Sequence, residues 1–283
     1  MQWKSGFNTI PPLRPQMASA LGRHLVACLL NISEARRRGL VEKVARAAIT
    51  DNHGGRRKGT TVLNIFSDYD YNRSVITIVA SIELIKEAVL SACEQACSLI
   101  DMNEHEGIHP CMGAVDLIPL YPLGEEVNLK DCGREAQGIG ASPYVMNCNV
   151  TIDTQDLVLG RGVAAAIRES SPGGIQGVQV MALPHEGTIE IACNVESVPE
   201  GPPSDLAAGM EPWPAFNTGG QNFYHAPASL ITAHVTELAG RHGVATKGTA
   251  LVGFTPLECK GLAEMALSQD IGEFWKMLHS VRM

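Results

Sequence analysis

The densest chemistry in the chain lies in His105-Glu106-Gly107-Ile108-His109-Pro110-Cys111-Met112-Gly113-Ala114-Val115-Asp116. Two imidazoles sit among glycines and a proline. An imidazole titrates near neutral pH, so it can take a proton and return it within one reaction. Glycine and proline crowded around titratable groups mark a loop held to one shape. The plainer reading is a structured loop whose histidines only bond its own backbone. A second polar loop, residues 67–73, carries Asp68, Asp70, Asn72 and Arg73. A carboxylate such as Asp68 could orient an imidazole, and an arginine such as Arg73 could clamp a substrate carboxylate with two parallel N–H bonds.

His105-Glu106-Gly107-Ile108-His109 also satisfies H-E-x-x-H, the zinc-hydrolase pattern. That chemistry needs both histidines on one helix face, one turn apart, with Glu as general base. Gly107 inside the segment and Pro110 directly after His109 oppose a helix there. The segment is therefore expected to be a loop, with no metal, and the zinc hydrolase stands as the rival enzyme class.

The elements that must position these residues follow from periodicity. His24–Leu30 reads as a buried strand, and Asn31 or Ser33 can cap a helix from about Glu34 to Ile49. Thr61–Phe66 and Val75–Ala80 read as strands, and Ser81 opens a long helix to Ile100. Ala114–Leu120 reads as another strand. That order is β-α-β-β-α-β, the ferredoxin-like arrangement. It recurs with strand Tyr144–Ile152, helix Gln155–Arg168, strands Gln176–Leu183 and Thr188–Val195, helix Ser229–His242 and strand Thr249–Phe254. A helix from Pro256 to about Leu267 follows. The expectation is an α/β protein of two such subdomains, 24–124 and 143–268, with a small-ligand cleft between their sheets. Residues 125–142 read as a short polar connection, and 199–227, rich in Pro and Gly, as a long mobile loop.

Length, 283 residues, suits one large domain or two small ones. Net charge of -8 argues against general nucleic-acid binding and for a small ligand or protein partner. No apolar run approaches the roughly 20 residues of a membrane span. Eight cysteines, mostly within apolar runs and without C-x-x-C, suit free thiols in the reducing cytoplasm. Residues 1–23 hold three prolines and no acid, and are expected to be a disordered extension. They read either as a transit peptide or as sequence ahead of an alternative start at Met17.

Taken together these residues resemble the formiminotransferase family: the formiminotransferase domain of formimidoyltransferase-cyclodeaminase and relatives that carry its N-terminal subdomain. Asn31-Ile32-Ser33-Glu34 stands where the family has N-F-S-E, and Asp68 precedes Asn72-Arg73. Ile100-Asp101-Met102 then leads into His105-x-Gly107-x-His109-Pro110-x-Met112-Gly113-Ala114-x-Asp116. Asn149, Val178-Gln179, Asn194, Leu251-Val252-Gly253 and Pro256 follow in order. The resemblance implies transfer of a formimino group from N-formimino-L-glutamate to tetrahydrofolate, a step of one-carbon metabolism and histidine catabolism. It places the catalytic histidine at His109 with Asp68 as its carboxylate. It turns Asn72, Arg73, Met112, Gly113, Asn149, Gln179 and Asn194 toward substrate and folate. Three positions depart from the family. Residues 124–142 replace a further helix, strand and folate-contacting loop; Ala35 stands for a glycine; Ala250 stands for a glutamate. The alternative expectation is thus a folate-binding homologue with weak or no turnover, unless a homodimer partner completes the wall.

Overall fold

Leu25–Ile32 (β1) is apolar at nearly every position, and such a strand suits the middle of a sheet covered on both faces. The computed structural model, which describes residues 22–135, 140–201 and 212–278, puts it there. Around it run α1 (Arg38–Ala48), β2 (Thr60–Asp68), β3 (Arg73–Ser81), α2 (Ile82–Leu99), β4 (Val115–Leu117) and β5 (Pro119–Pro122). Next come α3 (Leu129–Glu135) and β6 (Gly140–Ala141). The first sheet has the order β2-β3-β1-β5-β6, with β4 also paired to β1. On one face Val26, Cys28, Leu30 and Ile32 of β1 pack with Val41 and Val44 of α1 and Ala88 and Val89 of α2. On the other face Leu25, Ala27 and Leu29 join Tyr121, Phe216, Phe223 and Leu262.

The second sheet is built from β7 (Val145–Ile152), α4 (Leu157–Ile167), β8 (Val178–His185), β9 (Thr188–Glu196), α5 (Ala228–Gly240) and β12 (Thr246–Val252). Its strand order is β12-β7-β9-β8. Alternate residues Met146, Cys148, Val150 and Ile152 are buried with Val163 and Ile167 of α4 and Ile231 and Val235 of α5. Asp156 caps α4 by accepting from the amides of Val158 and Leu159, at 2.9 and 3.1 Å. The opposite face carries Asn147 and Asn149 on β7, Asn194 on β9 and Gln179 on β8. The α/β class and the twofold β-α-β-β-α-β order are as the sequence implies.

Three expectations are corrected. Residues 125–142 are no bare connection: they hold α3, whose Cys132 is buried in the first core, and β6, parallel to β5. The segment 199–227 contains a hairpin, β10 (Ala215–Thr218) with β11 (Gln221–Tyr224), and Phe216 and Phe223 are buried. Residues 202–211 within it, like residues 1–21, lie outside the described residues. Helix α6 (Pro256–Ser268), read in sequence with the second unit, instead puts Cys259, Leu262 and Ala266 into the core of the first sheet's second face. Among the described residues no helix is long and apolar enough to cross a membrane.

Candidate functional site

The N-S-E motif after β1 is the hub from which the loop is hung. Asn31 accepts from Arg73 Nε at 3.1 Å. Ser33 does not cap α1; its hydroxyl donates to the Gly113 carbonyl at 2.7 Å and its amide to Ala114 at 3.0 Å. Glu34 takes over at the start of α1, accepting the Arg37 amide at 2.9 Å. Asn72, at φ +47°, accepts the Ala35 amide at 2.9 Å. Gly107 is required by close approach: a Cβ there would stand 2.3 Å from the Tyr71 carbonyl oxygen. The loop thus folds against the β2–β3 turn, with the Ile108 amide donating to the Asp70 carbonyl at 3.2 Å.

Residues 105–109 form no helix, so the geometry of a zinc hydrolase is not present. The two imidazoles face different partners. His105 Nδ1 lies 3.1 Å from the Ser33 carbonyl and 3.4 Å from Asn72 Nδ2. His109 Nδ1 lies 2.7 Å from the Pro110 carbonyl and 3.2 Å from Arg73 NH1. A carbonyl accepts only from an N–H and a guanidinium only donates, so both contacts cannot be hydrogen bonds. The shorter one assigns the hydrogen to Nδ1, which leaves Nε2 with its lone pair. Burial, with Arg73 nearby, holds the His109 pKa below the ordinary histidine value, so the ring is neutral at pH 7.

Arg73 is buried and already engaged. It pairs with Asp116 and reaches the Pro110 carbonyl at 3.4 Å. Asp116 in turn accepts the Met112 amide at 2.7 Å. In this arrangement Arg73 shapes the loop instead of offering a free clamp.

Asp68 does not reach His109. Its carboxylate meets His185 Nε2 at 2.7 Å and accepts the Tyr71 amide at 2.9 Å. Burial opposes the charge on Asp68, but these bonds outweigh it and hold its pKa below the usual carboxylate range. The same hydrogen bond pushes His185 up to about 9. His185 closes β8, so this pair ties the second sheet to the first. The Glu186 amide, donating to Asp70 at 2.8 Å, adds to the tie. Tyr71 lies between the histidines: its ring centroid is 5.4 Å from that of His109 and 4.9 Å from that of His185. Its hydroxyl donates to Glu190 on β9 at 2.7 Å, and Asn149 Nδ2 donates to the same oxygen at 3.0 Å.

The structure therefore gathers His109, Arg73, Asn72 and Gly113 into one loop assembly, and brings Asn149 to it through Glu190 and Tyr71. Met112 stands 81% exposed on the rim. Asn194 accepts from Asn147 at 2.6 Å, and Gln179 reaches Glu169 at 3.5 Å; both are on the open sheet face. Sequence reasoning gave no site role to Tyr71, His185 and Glu190, and quoted Asp116 only as the end of the loop motif. The signal for Glu190 was its place between Ile189 and Ile191, which turns it to the face opposite the core. A charged hollow of about 200 Å³ opens beside the loop, lined by Ser33, Glu34, Arg37, Asn72, Glu104 and His105. Neither His109 nor Glu190 lines it.

Comparison with known proteins bears on this geometry. The family model of the formiminotransferase domain, N-terminal subdomain, matches residues 25–152, from β1 through the site loop to the end of β7. The chain is 29% identical over 199 residues to mouse formimidoyltransferase-cyclodeaminase, covering 70% of this chain and 33% of that protein. It is 34% identical over 116 residues to glutamate formimidoyltransferase of Thermoplasma acidophilum, covering 41% and 36%. It is 27% identical over 249 residues to a formiminotransferase cyclodeaminase-like protein of Arabidopsis thaliana, covering 60% and 82%. The chain thus spans about a third of the length of the mouse and archaeal relatives. Residues 25–152 of the chain are thus similar to the N-terminal subdomain of the formiminotransferase domain.

Proposed function

We propose that the chain transfers a formimino group from N-formimino-L-glutamate to tetrahydrofolate as co-substrate. The observation that carries this is His109 itself. It lies inside the family-matched segment, with Nδ1 tied to Pro110 and an unprotonated Nε2. In the reaction the folate nitrogen attacks the formimino carbon and a new C–N bond forms. His109 Nε2 takes the proton lost by the attacking nitrogen. The bond from that carbon to the glutamate nitrogen then breaks, and the same proton goes to the leaving amine. A neutral imidazole suits this shuttle, because it starts as a base and ends as one.

The two substrates occupy the cleft between the two sheets. Asn149, Gln179 and Asn194 on the open sheet face, with Met112 and Gly113 on the loop, face the folate. Asn72 and Arg73 hold the loop that carries His109, and Asp68 ties it to the second sheet through Tyr71 and His185. The packed α3 and β6 in the connection, and the formimidoyltransferases among the relatives, favour turnover over a homologue that only binds. Five buried free thiols suit the cytoplasm.

The test is glutamate release from N-formimino-L-glutamate with tetrahydrofolate present, run alongside a measurement of oligomeric state. A kcat in the usual enzyme range, about 1–10³ s⁻¹, supports the reading. Tetrahydrofolate binding without release would instead establish a binding homologue.

A further inference from the structure

Glu190 is the charged group that the proton shuttle does not use. It is 6% exposed and lies on the face of β9 that looks toward the His109 loop. Its Oε1 accepts from both Tyr71 and Asn149. Among the described residues its Oε2 accepts no hydrogen bond. Among the described residues no arginine or lysine pairs with it, and the His185 cation that attracts it is itself bonded to Asp68. Oε2 keeps access to solvent, and a cation that replaced that water would offset the cost of a carboxylate whose other oxygen is fixed by two donors. Burial accordingly raises the Glu190 pKa.

We propose that Glu190 is the subsite for a cationic amidinium group, which donates an N–H to Oε2. The inference rests on the formimino-transfer reading and deepens it. A formamidine is a strong base and carries a proton at neutral pH, so the reacting group of N-formimino-L-glutamate enters as a planar cation. A neutral N-formyl group of nearly the same shape carries no charge. Glu190 would thus select formimino over formyl donors. Tyr71 serves both sides: its hydroxyl fixes Oε1, and its ring packs edge-to-face with His109. The cation is thereby brought beside the base.

The experiment is calorimetric titration of the full chain with N-formimino-L-glutamate and, separately, N-formyl-L-glutamate. The same titrations follow for Glu190→Gln and Glu190→Asp, with thermal melts as a folding check. Glu190→Gln keeps the oxygen that Tyr71 and Asn149 bond, but removes the charge. Wild type should prefer the formimino compound by roughly 10- to 100-fold, the worth of one charge-assisted hydrogen bond. Glu190→Gln should bring that ratio near one while leaving N-formyl affinity unchanged. Glu190→Asp should keep the preference at lower affinity. Equal binding of both compounds by wild type would overturn the proposal. So would an unchanged ratio in Glu190→Gln. Should Glu190→Gln fail to fold, loss of the preference in Glu190→Asp would overturn it as well. A Glu190-dependent preference without glutamate release would leave this subsite standing and remove the transferase reading, so the two fail separately.

Discussion

The two sheets share one order of elements and use their faces differently. In the first, β1 is sealed on both sides, by α1 and α2 and by α6 with the β10–β11 hairpin. In the second, only one face is sealed, and Asn147, Asn149, Gln179 and Asn194 stand on the other. The first sheet spends its side chains on rigidity and holds the His109 loop at its edge through Asn31 and Ser33. The second leaves a polar wall on which a ligand can lie. A catalytic group benefits from a stiff mount, because positioning supplies much of the rate in a two-substrate reaction.

The contrast breaks hardest at the mount's own cargo. His109→Ala should lower kcat by roughly 10²–10⁴, the usual worth of general acid–base catalysis. His105→Ala should do far less, because His105 Nδ1 only meets the Ser33 carbonyl and Asn72. Equal losses in the glutamate-release assay would reduce both histidines to loop scaffolding. Because the His109 pKa is lowered, kcat/KM should rise with pH on a limb lying below the ordinary histidine value of about 6.5.

A second comparison tests the two sheets directly. Leu30 is fully buried in β1, so Leu30→Ala should cost about 2–5 kcal/mol in denaturant unfolding. Asn149→Ala, on the open face, removes one donor to Glu190 and should cost less than Leu30→Ala, about 1–2 kcal/mol, yet impair substrate binding. Similar stability losses for both would mean that the second sheet's polar face is structural after all.

Much of this plan was readable in the chain. The two β-α-β-β-α-β series, the His109 loop and the buried cysteines all follow from local period and turn chemistry. What was not readable depends on register between distant segments. Asp68 and His185 are 117 residues apart, and nothing local tells Asp68 that its imidazole is His185 and not His109. The β10–β11 hairpin was hidden by its surroundings, since four-residue strands within a Pro- and Gly-rich stretch show no period. Its Gly219-Gly220 turn, with φ of 57° and 75°, was the available signal. Ser33 looked like a helix cap because the sequence does not reveal that a loop 80 residues later supplies a better acceptor.

The tie between the sheets gives the next smaller effect. His185 is raised to about 9, so its stabilisation is complete below its unfolded value near 6.5 and is lost as pH rises toward 9. Asp68 is lowered, so its share is present above about 3.8 and lost as pH falls through its folded value. Asp68→Asn should therefore destabilise most between about pH 4 and 6.5, by roughly 1–3 kcal/mol, since each pKa unit is worth about 1.4 kcal/mol. The difference from wild type should shrink toward pH 9. A pH-independent difference in denaturant midpoint would show that the pair is not ionic.

The smallest effect lies at the turn that delivers this tie. Glu186 and Gly187 join β8 to β9 with φ of 45° and 73°, both in the left-handed region. A two-residue hairpin turn with both φ positive favours Asn-Gly, because Asn tolerates that backbone better than a long side chain. Glu186 is exposed, so its side chain gives little packing in return. What the turn contributes is its backbone: the Glu186 amide donates to Asp70, and that bond does not depend on the side chain. Glu186→Asn should then keep the tie, relieve the strain and raise stability by about 0.5–1 kcal/mol. For a chain of this size that is roughly 1–3 °C in melting temperature. The substitution also removes the attraction of the Glu186 carboxylate for the His185 cation, which works the other way and keeps the net gain small. A fall in melting temperature would mean that the Glu186 carboxylate itself supports His185 across the turn, and that the second sheet is joined to the first by charge more than by backbone geometry.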